Sequence, residues 1–499
     1  MKKDKENQIK EKNVEKKKNK KGKLKKHINI NVNFTIVAII LIAIFCVCVT
    51  PVTFQNDTYY TIKIGELIKN NGIDMMDHFS WHENLSYTYP HWLYDFFTYL
   101  IYSIGGFKGV YIITCVLSAI LGISIFLVNS KLTKSKSISF IITMGVIYAL
   151  KPYIAARAQL VTFILFIWEL FFIEKFIENR KIGYGIGLIL ISTLIANLHV
   201  ATWPFFFVLF LPYIVEYLIA IVSDIIIYKK CKILVIKHKM KKAQKKNDIE
   251  RLKELQIKLQ EQEDKNLKIK DKRENKNNSY KLVIKRRENV KFLIIIMIIC
   301  AFTGLLTPLG DTPYTYLYKT MKGNTTQNIS EHLPLTLINN TNAMCVLVIF
   351  LAILIFTKTK IRLSDLFMLS GLCYLMFSTR RQFSIFVLIC SVILTKFIVD
   401  LINTYTKKGI KEFEEAFRNV LVVISLTVLI GLMSYDAVKP KLDDKFVDSK
   451  SYPVEACDYI LENIDLSKAR FYNEYNYGSY MLFRGIPVFI DSRADLYAP

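Results

Sequence analysis

Long apolar runs punctuate this chain, and they constrain its fold more than any other feature. FTIVAIILIAIFCVCVT (34–50) and FLIIIMIICAF (292–302) carry no charged residue. A hydrocarbon core about 30 Å thick is crossed by roughly 20 apolar residues in a helix. Such bunching argues against several soluble domains, although 499 residues would suffice for them. The first run begins after a Lys-rich stretch, too far in and too long for a cleaved signal peptide, so it is expected to stay as an anchor. The expectation is an all-α polytopic membrane protein, because in lipid a backbone must satisfy its own polar groups.

The net charge of +25 would suggest nucleic acid in a soluble protein. Here the positive charge concentrates in 1–26 and 229–291, polar segments before or between apolar runs. That pattern reads as cytoplasmic loops beside anionic lipid, with membrane lipids and not nucleic acid as partners. Many of the nine cysteines, among them Cys46, Cys115, Cys300 and Cys390, fall in apolar runs. They show no paired CxxC spacing and no disulfide framework.

With the basic tail (1–32) in the cytoplasm, the hydropathy suggests eleven spans. They lie near 33–52, 108–129, 138–152, 160–177, 182–198, 203–228, 291–307, 342–357, 363–377, 383–402 and 418–435. An N-terminal module (33–228) carries a first external loop at 53–92. A charged cytoplasmic loop (229–290) precedes a C-terminal module (291–435). Residues 436–499 then form a small external α/β segment, which a truncation could have left incomplete. WLYDFFTYLIYS (92–103) is too short to cross and reads as interfacial. Every loop placed inside is basic. The alternation also puts Asp57, Arg157, His199, Asp311, Glu331, Arg380 and Arg381 on the external side. Ionisable groups near bilayer depth usually face protein or water, so a shared cavity is one reading.

In the first loop, YTIKIGELIKNNG reads as an amphipathic helix ended by Asn71-Gly72, which makes Asp57 its cap. In 229–290, Ile249, Leu252, Leu255 and Leu259 follow helical spacing, suggesting a hairpin or short coiled coil. The tail alternates RFYNEY, YGSYML and IPVFIDSR as strand and turn signals. Asp491, Arg493 and Asp495 would share a strand face there, to bind a ligand or to pair as an ion ladder.

The first loop, with an Asp after span one, an aromatic pair, a Gly and FS followed by W, resembles that of bacterial GT-C type membrane glycosyltransferases. These belong with the superfamily of dolichyl-phosphate-mannose–protein mannosyltransferases. KPYIAARAQLVTFIL, IANLHVATWPFFF, LLTPLGDTPYTYL, ISEHLP, FSTRRQFSIFVLI and the tail FYNEYNYGSYMLFRGIPVFIDSRADLY match in order along nearly the whole chain.

The resemblance implies a GT-C-like fold and sugar transfer from a polyprenyl-phosphate-linked donor to an acceptor outside the membrane. It assigns Asp57 as the base taking the acceptor hydroxyl proton. Arg380 and Arg381 would stabilise the departing lipid phosphate, unless they anchor at the interface by snorkelling. His199 and Arg157 are candidates for donor or phosphate contact, with structural roles as their alternatives. Glu331 and Asp311 offer a second acid or a metal ligand, or are solvated loop acids. The first loop has no DxD and no dense acidic cluster, so no cofactor is expected and a divalent ion gains little support. Two non-enzymatic readings remain beside this one: a transporter or flippase for lipid-linked glycans, and an assembly partner.

Overall fold

The computed structural model describes residues 33–227, 230–245, 248–276, 281–322 and 330–497. Among these the chain is helical almost throughout. Helices α1 (Phe34–Val49), α2 (Asn56–Asn71), α3 (Trp92–Thr133), α4 (Lys136–Leu150), α5 (Ala158–Asn179) and α6 (Ile182–Leu198) lead to α7 (Trp203–Val208) and α8 (Leu211–Ile227). The charged segment supplies α9 (Lys230–Lys245) and α10 (Ile249–Lys276). Then follow α11 (Val290–Phe302), α12 (Thr312–Lys322), α13 (Thr341–Phe356), α14 (Leu363–Ser378), α15 (Phe383–Tyr405), α16 (Ile410–Ala416), α17 (Val420–Val438), α18 (Val454–Asn463) and α19 (Tyr475–Phe483). The only named strands among the described residues are β1 (Leu282–Val283) and β2 (Ile361–Arg362), paired parallel with Leu282 opposite Ile361.

Four stretches are long and apolar enough to cross a membrane: Trp92–Thr133, Val200–Ile226, Arg380–Tyr405 and Val420–Lys441. The expected eleven are not reached. Phe34–Val49, Ile182–Leu198, Val290–Leu305, Thr341–Phe356 and Leu363–Ser378 are apolar but shorter. Helix α5 is long enough, but it carries Glu169, Glu174, Lys175 and Glu178. Even the short helices show an apolar outer face. Ile36, Ile40 and Ile44 on α1, and Ile182, Ile186 and Leu190 on α6, are each about half exposed or more. That three-to-four spacing makes continuous apolar stripes, which water would oppose and lipid accepts. The fold is that of a helical membrane-type protein.

The bundle core is built from inward faces of α3, α5, α6, α8, α14 and α15, with Phe163, Phe166, Phe206 and Phe386 fully buried. At one end of α5, Glu174 is gripped by the Arg362 guanidinium (Nη1–Oε2 3.1 Å) and by the Lys396 ammonium (3.0 Å). Arg362 also pairs with Asp365, so α5, α14 and α15 are pinned together there. The other end of α5 begins at Arg157. Seventeen residues at 1.5 Å each separate the two ends by about 25 Å. The charged segment forms a hairpin, its chain reversing where the Asp248 amide bonds the Ala243 carbonyl. Ala243 and Leu255 are buried, but Ile249 at the hairpin turn is exposed.

The first loop and the C-terminal segment form one layer on the end of the bundle. Tyr59 of α2 packs edge-on against Tyr452 and Tyr480, ring centroids 4.9 and 5.1 Å apart. Helix α2 also lies close against α3, because Gly65 has no Cβ to strike the Asp95 carbonyl. Helix α3 turns at Gly106, where φ is +57°.

The C-terminal segment is not the α/β unit that its alternation suggested. It holds two short α-helices, single 3-10 turns and extended chain, and among the described residues its only β-bridge to the first loop is Ser80 to Val488. The reason is local. Asn473 donates to the Ile490 carbonyl (2.7 Å) and accepts from the Phe489 amide (2.8 Å), occupying groups that a ladder would need. Asp491 and Arg493 do not face one way along a strand either. Arg493 folds back on Asp491 (Nη2–Oδ2 2.7 Å) and reaches Asp77 of the first loop (2.6 Å). All three side chains are buried, and Arg493 lies over the Tyr87 ring at 5.0 Å. Burial pushes the Asp77 carboxyl up, but the Arg493 charge and the Ser80 hydrogen bonds outweigh it and hold the group below its ordinary value. The side chain of Asp495 lies outside those described.

This buried triad clamps loop to tail. Replacing Arg493→Met should strand two buried carboxylates and cost about 3–5 kcal/mol. Chemical denaturation in micelles measures it, and an unchanged midpoint would contradict the clamp.

Candidate active site

Five of the seven residues singled out from sequence are drawn together where five chain segments meet, all at helix ends or turns. Asp57 stands in the first turn of α2. It is not the cap; Gln55 occupies that position and makes no side-chain cap bond. The helix begins earlier than its pattern suggested, so the Asp57 carboxylate sits on the first turn and pairs with the Arg157 guanidinium. A negative charge is favoured there by the helix N-terminus as well as by the arginine. Arg157, in extended conformation just before α5, reaches Glu331 as well, Nη1–Oε1 3.6 Å. The side chains of Asp57 and Arg157 are 17% and 25% exposed, so the pair is shielded yet reachable.

Backbone bonds stitch the segments into one ring. Thr58 Oγ1 donates to the Ala156 carbonyl at 3.3 Å, joining α2 to the turn that carries Arg157. Tyr153 donates to the Arg380 carbonyl at 3.1 Å, joining that turn to the start of α15. The Arg380 amide donates to the Leu333 carbonyl at 3.0 Å, bringing in the turn of Glu331. The Val200 amide donates to the Pro90 carbonyl at 2.8 Å, fastening the His199 turn to the first loop.

The two adjacent arginines separate in role. The Arg380 Nε is directed to the Pro334 carbonyl at 3.4 Å, so this side chain braces a loop. The Arg381 charge lies close enough to bear on Arg157, His199 and His332. Burial, then Arg381, pulls the Arg157 guanidinium below its ordinary value, while Glu331 opposes that shift. His199 is buried with Nδ1 2.9 Å from the Thr162 hydroxyl. Burial first, then the charges of Arg381, His91 and Arg157, hold His199 well below the usual histidine range. It is neutral at pH 7. His332 is shifted the same way, by burial and by Arg381. Asp311 is not among the contacts of this cluster; it is exposed, and its carbonyl receives the amides of Tyr314 and Thr315.

Sequence reasoning missed a second arrangement beside the first. His91 Nδ1 lies 2.8 Å from the fully buried Asp95 carboxylate, and its Nε2 is 3.3 Å from the Tyr60 hydroxyl. The His91 and His199 rings meet edge to face at 6.3 Å. The HWLYD spacing places His91 and Asp95 one turn apart at the start of α3, and that signal was readable. Among the described residues no three His, Cys, Asp or Glu converge as a metal-binding group. In chemical terms the site offers a carboxylate paired with an arginine, a second arginine whose charge bears on it, a second acid and two histidines of lowered basicity, His199 and His332.

No family model matches the chain, and a search of curated proteins finds no match either. The fold and site therefore stand on their own geometry, and they define a helical membrane-type protein with a charged cluster at one end of its bundle.

The buried neutral state of His199 has a pH consequence. Unfolded, it titrates near the ordinary value of about 6.5. The folded protein binds fewer protons below that pH, so stability is lost as pH falls through this range. Thermal unfolding in micelles between pH 7.5 and 5 should show wild type losing more stability than His199→Gln, which keeps a partner for Thr162. Parallel curves would contradict the assignment.

Proposed function

We propose that the protein is a GT-C type membrane glycosyltransferase moving a sugar from a polyprenyl-phosphate-linked donor to an acceptor outside the membrane. The observation that carries this reading is the convergence of Asp57, Arg157, Glu331, His199 and Arg381 from segments more than 300 residues apart. A solvated loop acid needs no such company. In this reading the long apolar helices cross the bilayer, the N-terminus is cytoplasmic, and the cluster opens on the external side.

The transfer asks for opposite charges at two points. The bond between the sugar C1 and the donor phosphate oxygen breaks, and its electron pair leaves on the phosphate. The acceptor oxygen forms the new bond to C1, and its proton passes to the Asp57 carboxylate. Arg381 and Arg157 supply guanidinium groups for the growing phosphate charge; such groups hold phosphate oxygens without losing their own proton. Fixed cations in a shielded site stabilise that charge more strongly than water would.

The Asp57–Arg157 contact gives the sequence of events. A carboxylate held by an arginine is a poor base, since the pairing favours its charged form. An arriving lipid phosphate is a stronger partner for Arg157 than the carboxylate and draws the guanidinium away. Asp57 is then released beside the acceptor hydroxyl only when donor is present. Glu331 holds the other side of Arg157 and limits how far it swings. His199, neutral, is able to donate or accept a hydrogen bond to a sugar hydroxyl. Arg380 is left out of phosphate contact.

Deletion of the gene should remove a sugar from the cell-surface glycans read by mass spectrometry, and the wild-type gene should restore it. Asp57→Asn keeps the size and loses the base, so transfer should fall by about 10²–10⁴. Full restoration by Asp57→Asn would end the base assignment. A glycan profile unchanged by deletion would favour the transporter or assembly readings.

A further inference from the structure

A cleft of about 370 Å³ lies at the seam between the first loop and the C-terminal segment, lined by none of the residues of the Asp57 cluster. One wall holds Lys63 of α2 and His78–Trp81; the other holds Leu466–Arg470, Leu482 and Gly485–Pro487. Its volume lies in the range of small-ligand pockets, about 300–1,000 Å³.

The lining is one-sided in charge. Lys63, His78, Lys468 and Arg470 line it, and no Asp or Glu is among the described lining residues. The acids that pair with these bases stand outside the cleft: Glu66 with Lys63 (2.7 Å), Asp74 with His78 (2.6 Å) and Asp465 with Lys468 (3.3 Å). Arg470 is placed differently. Its guanidinium lies 5.4 Å from the centre of the Trp81 ring. That ring is itself fixed, its indole N–H donating to the Phe471 carbonyl at 3.0 Å and its face stacked on His82 at 4.6 Å. A cation seated on an aromatic face is oriented at little cost, and its donors stay available to an anion.

Position supplies the second argument. Lys63 follows Asp57 by six residues on α2, about 9 Å along the helix axis. One wall of the cleft and the candidate base are therefore carried by the same helix, less than two turns apart. Both walls come from the first loop and the tail, and none from the four long apolar helices. That placement suits a chain arriving from the aqueous side better than a lipid headgroup.

We propose that this cleft is the subsite for an anionic acceptor, a saccharide chain bearing carboxylate or phosphate groups. Its charged unit sits among Lys63, Lys468 and Arg470 while a hydroxyl further along reaches Asp57. The acceptor role rests on the glycosyltransferase reading; the anion site does not.

The test is binding, measured without turnover. Full-length protein in zwitterionic nanodiscs is titrated against fluorescently labelled hexagalacturonate and against neutral maltohexaose, by fluorescence anisotropy. The acidic oligomer should bind about tenfold or more tightly than the neutral one, and raised salt should weaken it. The double substitution Lys468→Ala/Arg470→Ala, on the exposed rim, should remove that preference, while Lys450→Ala, an exposed lysine outside the cleft, keeps it. Equal binding of the two oligomers, or an unchanged double variant, would overturn the proposal. So would block of hexagalacturonate by anionic lipid in the nanodisc, which would make the cleft a headgroup site. If Asp57 proves dispensable for transfer while this preference holds, the catalytic assignment fails and the anion site survives. If the preference is absent while Asp57 is required, only the subsite fails.

Discussion

The contact between Asp57 and Arg157 is the interaction on which the arrangement of the site depends. It joins the first turn of α2 to the start of α5, a hundred residues along the chain. An exposed ion pair contributes little to stability, and even this shielded one contributes modestly. Its importance is positional. With Thr58 bonded to Ala156 and Val200 to Pro90, it holds the first loop against the bundle and aims a carboxylate at the seam. The remaining charges are then arranged around a guanidinium with two anionic partners, Asp57 and Glu331.

The rest of the molecule explains how such a cluster is kept in register. Below it, α5 runs some 25 Å to the Glu174–Arg362–Lys396 knot, so its two ends are fixed by charge and its middle by aromatic packing. Above it, the Asp77–Arg493–Asp491 triad and the Tyr59, Tyr452 and Tyr480 rings bind loop and tail into one layer. Buried ion pairs of this kind are costly to break because each partner left behind is an unpaired charge. Function at the seam thus rests on two rigid supports, one in the bundle and one in the cap.

Much of this was legible in the sequence, and the omissions have physical causes. Apolar runs announced helices because lipid permits little else, but counting each run as a crossing overstated the number of full spans. Helices α4 and α13 stop at 15 and 16 residues, as short as their apolar runs, below the roughly 20 a helix needs to cross. The alternation of spans puts Asp57, Arg157, Glu331 and Arg381 on one side, and the fold gathers them. Asp311 and Arg380 matched the same rule and are turned elsewhere, Arg380 by a single bond to Pro334. Sequence distance hides which turns share a ring of hydrogen bonds. His91 and Asp95 were passed over because their segment read as an aromatic interfacial stretch. The tail's alternation suggested strands, yet one asparagine side chain, Asn473, occupies the groups a sheet needs.

The central claim is that the paired arginines form a seat for a lipid phosphate, with Asp57 released when the seat is filled. Native mass spectrometry of the purified protein with polyprenyl phosphate reads that seat directly. The account predicts one retained lipid phosphate on the wild type and on Asp57→Asn, and its loss from Arg157→Ala/Arg381→Ala. Equal retention by the arginine variant, or no retention by the wild type, would contradict it.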